Sequence, residues 1–130
     1  MRCRKCGEKA VINMRQHRLS LCKQHYLDWL PSHVLRFIEK HELFSEHDRI
    51  LVAVSGGKDS LALWDILLKL DLFTEGLYIN LGIDADIAYS NRSMKFAQEF
   101  ADQRNLTLHI ADIKRDFGES IPEISVRTRR

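Results

Sequence analysis

The chain has 130 residues and a mass of 15.2 kDa, with 45% hydrophobic and 29% charged residues. That length admits one domain, or a small module ahead of an incomplete second one, and the composition excludes collagen-like, low-complexity or wholly disordered protein. The formal charge of +2 is a sum of opposites: residues 1 to 30 hold seven Lys/Arg against Glu8 and Asp28, a balance of +5, while the rest hold 13 basic and 16 acidic residues, a balance of −3. Clustered cations point to a polyanionic partner, with a merely solvated face as the plain alternative. No apolar run approaches the roughly 18 residues a membrane span needs. Met1 to Cys6 is too polar for a secretory segment, so the expected location is cytoplasmic, without membrane contact.

Three cysteines occur, Cys3, Cys6 and Cys22. An odd number in a chain expected in a reducing compartment argues against a disulfide framework. Their spacing favours a metal: Cys3-x2-Cys6, then fifteen residues, then Cys22-x2-His25, two chelating knuckles at zinc-ribbon separation. Each x2 spacing lets one tight turn present two ligands, and Gly7 relieves the backbone after the first. Four protein ligands leave no open coordination position, so Zn²⁺ here is expected to be structural and to supply the folding free energy of a segment too short for its own core. A set that includes His suits an iron–sulfur cluster less well. His17 lies within the loop but fits neither knuckle, and His33, His41, His47 and His109 read as surface or helix residues.

Residues 26 to 44 place Trp29, Leu30, Val34, Leu35, Phe37 and Ile38 at helical spacing, with Pro31 predicted to divide the stretch into two helical pieces. The polar run Ser45 to Asp48 is the expected boundary. The organisation read from this is a zinc-binding finger at 1–30, a linking helix at 31–46 and a nucleotide-binding domain at 47–130.

Arg49 to Val54 is a short β-branched run expected to form a strand buried on both faces. After it come a helix from about Ser60 to Leu70, a strand at Gly76 to Leu81, a helix near Asn91 to Arg104 and a strand at Leu106 to Ala111. Strand, helix, strand, helix, strand predicts an α/β fold with a doubly wound parallel sheet.

Between the first strand and helix lies Ser55-Gly56-Gly57-Lys58-Asp59-Ser60. Two glycines can turn successive N–H groups into one concavity, and the helix N-terminus adds its positive end. Lys58 supplies a full charge, and Ser55 and Ser60 can donate hydroxyl hydrogen bonds to a phosphate. Asp59 would repel phosphate unless it holds Mg²⁺ or orients the loop, which makes it a candidate metal contact. The spelling fits neither a Walker loop nor a dinucleotide fingerprint.

This loop after a Val-rich strand resembles the PP-loop of the N-type ATP pyrophosphatases, which share an adenine nucleotide alpha hydrolase-like fold. Together with the Cys3/Cys6/Cys22/His25 finger, it makes the whole chain similar to the N-terminal part of tRNA 2-thiolation enzymes of the tRNA-5-methyluridine 2-sulfurtransferase kind. The resemblance implies that ATP adenylates the C2 oxygen of a tRNA pyrimidine and a sulfur donor, such as a sulfur-carrier protein, then displaces AMP. It implies tRNA as partner, ATP, Mg²⁺ and Zn²⁺ as cofactors, and a homodimer as one assembly to expect. Ala53 and Val54 would lie near the adenine, Ser55, Gly56, Gly57, Lys58, Asp59 and Ser60 at the phosphates, and Ile79 and Leu81 close to the nucleotide at the strand ends. The family carries further strands, and further cysteines that hold an iron–sulfur cluster or carry sulfur. None of those cysteines is among the three here, so no catalytic residue is assigned. The first strand would then lie at an exposed sheet edge. Two alternatives stand beside this reading: a zinc-stabilised nucleotide- or RNA-binding module without chemistry, and a PP-loop ligase of another tRNA substrate such as lysidine synthetase.

Overall fold

A computed structural model describes residues 1–83 and 87–129, with the side chains of 87–90 left out. The chain separates into two compact units, Met1–Ser45 and Glu46–Arg130.

The first unit opens with a tight knuckle in which the Cys3 N–H donates to the Glu8 carbonyl (2.7 Å) and the Gly7 N–H to the Cys3 carbonyl (2.8 Å), with Gly7 at φ +79°. Strands β1 (Ile12–Met14) and β2 (Leu19–Leu21) pair antiparallel, with Ile12 opposite Leu21 and Met14 opposite Leu19. A single 3-10 turn, Arg15–His17, joins them, and Arg18 closes it in the left-handed region at φ 50°. The hairpin turns Met14 and Leu21 inward onto Cys3, a core of three buried residues ringed by Ile12, Leu19, Cys22, Tyr26 and Trp29.

Helix α1 (Lys23–Lys40) starts directly after Cys22 and runs through Pro31 without a break, contrary to the two pieces expected. A proline forfeits one backbone bond, but contacts on both sides of it hold the helix together. Tyr26, Trp29 and His33 form a column along one face, with ring centroids 6.2 and 4.5 Å apart, and His17 meets Trp29 and His33 edge-on from the hairpin turn. The Ser32 hydroxyl also donates to the Asp28 carbonyl (3.4 Å). The expected division into a finger ending at residue 30 and a separate helix after it therefore does not describe this unit, because one helix serves both.

In the second unit, strands β3 (Ile50–Ala53), β4 (Thr74–Asn80) and β5 (Leu108–Asp112) form a parallel sheet in the order β3-β4-β5. The register sets Val52 beside Gly76, Ala53 beside Leu77 and Tyr78 beside Ile110. Helix α2 (Lys58–Lys69) links the first two strands and α3 (Ile87–Gln103) the second two. Both helices cover the same face. Trp64 of α2 is fully buried, donates its Nε1–H to Thr74 Oγ1 (2.9 Å) and packs on Phe100 of α3 at 5.2 Å. A Cβ on Gly76 would lie 2.4 Å from the Trp64 ring, so this strand position must stay bare. Tyr78 Oη shares a 2.8 Å hydrogen bond with Ser93 Oγ of α3.

The α/β class and the parallel sheet are as expected, but burial on both faces is not. Val52 and Val54 are covered, whereas Leu51 is 57% and Ile79 46% exposed. Right-handed crossovers between strands added in one direction deposit every helix on one side. A sheet becomes doubly wound only where the direction reverses, and these three strands do not reverse. Along the bare face Glu75 pairs with Arg49 (3.6 Å) and His109 (3.5 Å), one link to each neighbouring strand. Two short helices, which no expected element anticipates, close the described chain. Helix α4 (Ile113–Phe117) is capped by Asp112, and α5 (Ile121–Thr128) by a capping box between Ser120 and Glu123.

Candidate functional site

The four metal-ligand candidates converge. Cys3 and Cys6 come from the opening knuckle, while Cys22 is the N-cap of α1 and His25 lies in its first turn, one helical step along the same face. The second x2 spacing is thus a helix start and not a second loop. All four ligand atoms lie within 4.8 Å of one another. His25 Nδ1 is 3.5 Å from Cys3 Sγ and 3.3 Å from Cys22 Sγ, and the Cys6 and Cys22 sulfurs are 3.9 Å apart. A tetrahedral zinc with Zn–S near 2.3 Å and Zn–N near 2.0 to 2.1 Å demands S···S edges of roughly 3.8 Å and S···N edges of roughly 3.6 Å. The 3.5, 3.3 and 3.9 Å separations lie close to those edges and all four donors gather around one point, so the residues fit the ion.

Thiol acidity agrees with a ligand role. Burial pushes the Cys3 thiol up, but backbone N–H groups of Cys22, Lys5 and Cys6, together with the Cys6 thiol, outweigh it and leave the pKa at about 6, below the usual 9.0. Cys6 moves the other way: the Glu8 backbone pulls it down, yet burial and the crowding Cys3 and Cys22 thiols hold it above its ordinary value. Crowded thiolates repel one another until a cation sits among them.

The second site is the loop between β3 and α2. Gly56 stands at φ +80°, and a Cβ there would fall 2.1 Å from the Ser93 carbonyl oxygen, so the loop lies directly against the α3 backbone. Gly57 is the N-cap of α2 with ordinary extended angles, φ −79° and ψ 162°. Only the first of the two glycines is therefore demanded by backbone geometry. The helix starts at Lys58, earlier than expected, and its first intrahelical bond runs from the Leu61 N–H to the Gly57 carbonyl (3.2 Å). The N–H groups of residues 58 to 60 precede that bond at the positive end of the dipole.

The serines do something the sequence did not reveal. Ser60 Oγ accepts from the Ser55 N–H (3.2 Å), contacts Ser55 Oγ at 3.2 Å and donates to the Gly57 carbonyl (3.1 Å), while the Gly57 N–H donates to Ser55 Oγ (3.3 Å). They tie the loop to itself instead of pointing away from it. Lys58 and Asp59, both exposed, pair with each other at 2.8 Å, so the charge expected for the anion is partly spent within the loop.

Pockets open on either side. On the bare face of the sheet, Ala53, Val54, Ser55, Ser60, Leu77 and Ile79 line a mostly apolar one of about 250 Å³. Against α3, Gly56, Gly57, Lys58, Arg92, Ser93 and Phe96 line one of about 410 Å³. Of the predicted residues, Ala53 to Lys58, Ser60 and Ile79 line these two spaces. Asp59 lines neither, and Leu81 is drawn away, its carbonyl accepting from the Ile121 N–H (3.1 Å). Leu77, Arg92, Ser93 and Phe96 were missed. Nothing in the spacing announces them, because α3 reaches the loop through tertiary packing, closest where the Ser93 backbone meets Gly56.

Residues 2–27 match the family described as 2-thiouridine synthetase TtuA, N-terminal LIM domain, and residues 15–130 match the PP-loop domain. A tRNA-5-methyluridine(54) 2-sulfurtransferase of Thermus thermophilus is 46% identical over 125 residues, covering 96% of this chain and 38% of the relative. A tRNA(Ile)-lysidine synthase of Bacteroides thetaiotaomicron matches a shorter stretch, 35% identical over 83 residues, covering 64% of this chain and 19% of the relative. The chain thus spans about two fifths or less of these relatives. Among solved structures, the U34-tRNA thiolase NcsA from Methanococcus maripaludis, with its [4Fe-4S] cluster, shares the fold at a TM-score of 0.80 and 21% identity, covering 100% of this chain and 44% of that one.

Proposed function

The chain belongs to the PP-loop domain family, and on that premise we propose that it is the zinc-bearing, ATP-binding front part of a tRNA 2-thiolation enzyme. The observation that carries this reading is the loop at 55–60, set between an apolar pocket suited to a base and a cationic pocket suited to phosphates. ATP would lay its adenine against Ala53, Val54, Leu77 and Ile79, and its phosphates along Gly56 to Ser60. The tRNA pyrimidine O2 attacks the α-phosphorus, the α–β bond breaks, and pyrophosphate leaves with the bond's electron pair. A sulfur nucleophile then adds to C2, and AMP leaves carrying O2. Mg²⁺ accompanying the nucleotide would meet Asp59, freed from Lys58 as Lys58 turns to phosphate.

Zn²⁺ held by Cys3, Cys6, Cys22 and His25 supplies structural order to the first unit. It occupies all three cysteines of this chain, which leaves the sulfur chemistry to groups outside it and to a donor such as a sulfur-carrier protein. tRNA would meet the first unit, whose nine Lys/Arg, from Arg2 to Lys40, stand in no ion pair among the described residues. Among the described residues no helix is long and apolar enough to cross a membrane, in keeping with a cytoplasmic tRNA enzyme, and a homodimer is part of the proposal.

The lysidine-type alternative has less support, because its relative matches only part of the chain whereas the thiolation relative extends through the metal finger. Zinc analysis and ATP titration test the reading together: about one zinc and one ATP per chain are expected, and a chain that binds neither would sink it.

A further inference from the structure

We propose that Arg92 is the pyrophosphate clamp of this site, gripping the β- and γ-phosphates from the α3 side of the loop. The proposal deepens the ATP reading above and rests on it. Three observations carry it: where Arg92 stands, how firmly its backbone is held, and the absence of any other claim on its charge.

Arg92 lies in the second turn of α3 and lines the same 410 Å³ pocket as Gly56, Gly57 and Lys58. Its neighbour Ser93 anchors that turn twice. The Ser93 backbone closes directly on Gly56, where no side chain could intervene, and its hydroxyl bonds Tyr78 Oη at 2.8 Å in the core of the sheet. The Arg92 Cα is thereby held at the flank of the loop while its side chain stays exposed.

Charge is the stronger argument. In the second unit Arg49, Lys58, Lys69, Lys95, Arg104, Lys114, Arg115 and Arg127 all stand in ion pairs. Arg92 has no carboxylate partner among the described residues, and its pocket is lined by no carboxylate either. The adjoining pocket, which also includes Gly56 and Lys58, contains Glu99 and Arg104, each already paired. Because Lys58 is engaged by Asp59 at 2.8 Å, the uncommitted positive charge beside the loop is Arg92. A guanidinium also presents a planar fork of donors that grips two phosphate oxygens at once, which a lysine cannot do.

The chemistry gives the position a purpose. When the α–β bond breaks, its electron pair goes to the bridging oxygen and the departing pyrophosphate gains a negative charge. A cation that contacts the β- and γ-phosphates stabilises that product and not the adenosine left behind, so it acts on the leaving group.

Calorimetric titration of the zinc-loaded chain with ATP, pyrophosphate and adenosine, each with Mg²⁺, tests the clamp. Arg92→Gln should weaken ATP and pyrophosphate by roughly 10- to 100-fold, the range for hydrogen bonds to charged groups, and leave adenosine unchanged. Arg92→Lys should fall between, and Lys95→Gln, a charge loss one turn away, should match the wild type. Thermal melts of Arg92→Gln should also match the wild type, since the side chain is exposed and unpaired. Pyrophosphate affinity within twofold of the wild type in Arg92→Gln, or an equal loss in Lys95→Gln, overturns the clamp and leaves the ATP site standing. If the wild-type chain binds neither ATP nor pyrophosphate, the ATP reading falls and the clamp with it.

Discussion

The two units hold themselves together by opposite means. Residues 1–45 carry nine Lys/Arg against four acids and form no ion pair among the described residues, around a core of Cys3, Met14 and Leu21. Residues 46–130 bury Val52, Val54, Trp64, Leu67, Tyr78, Ala97 and Ala101, and eight of the ten described Lys/Arg pair with carboxylates, Arg92 and Arg129 being the two that do not among the described residues. A segment that takes its order from four ligand bonds needs little apolar burial. It can leave its cations outward for a polyanion, at the cost of mutual repulsion. A segment ordered by packing spends its charges on itself, and the exception in the pocket beside the loop is the informative one.

The widest break in that contrast is metal removal. Cys22→Ser, or chelation, should unfold the first unit while the second keeps its structure, because structural zinc contributes about 10 to 16 kcal/mol of apparent binding free energy at pH 7. Amide hydrogen exchange resolves the two: protection lost across 1–45 and retained across 50–112 is the expected pattern.

The loop offers the next cut, within one unit. Gly56→Ala places a methyl group 2.1 Å from the Ser93 carbonyl oxygen at a left-handed φ, and should cost about 2 kcal/mol or more and abolish ATP binding. Gly57→Ala meets only Ser55 Oγ, at 3.3 Å, and should cost far less. Denaturant melts and ATP titration of the pair separate them, and equal losses would remove the claim that Gly56 alone is demanded by geometry.

Trp64→Phe strips the partner of Thr74 Oγ1 and opens space above Gly76, for an expected loss of about 2 to 3 kcal/mol by urea denaturation. Arg15→Glu with Arg18→Glu should lower tRNA affinity and flatten its salt dependence, each lost phosphate contact removing about 0.7 to 0.9 from the slope of log K against log salt. Lys95→Gln in the second unit should change neither. The smallest effect is acidic. Backbone hydrogen bonding to Ser120, its side chain and Lys114 hold the Glu123 carboxyl below its ordinary 4.5. A carboxyl depressed in the folded state contributes stability above its unfolded pKa and loses it as pH falls through the folded value. Helix α5 should therefore fray below about pH 4.5, and Glu123→Gln should remove that pH dependence from its circular dichroism signal.

Much of this was legible in the sequence where chemistry depends on spacing. The two knuckles, Cys3-x2-Cys6 and Cys22-x2-His25, and the residue 55–60 loop are each spelled within a few residues, and so are the turns that build them. What escaped depended on distant contacts. Pro31 reads as a helix breaker until Trp29 and His33 stack across it, and Leu51 reads as buried until both crossover helices settle on the other face. Arg92 is anonymous in a list of arginines and becomes a candidate only when Gly56 lets α3 touch the loop. The Ser120/Glu123 capping box is spelled in Ser-Ile-Pro-Glu, but α5 is only eight residues long, too short for the apolar periodicity that marks a helix.

Titration of the zinc-loaded chain with MgATP bears most directly on the whole account. One ATP per chain, displaced by pyrophosphate and lost in Gly56→Ala, is the predicted result. No binding at millimolar ATP, or binding that Gly56→Ala leaves intact, would contradict it.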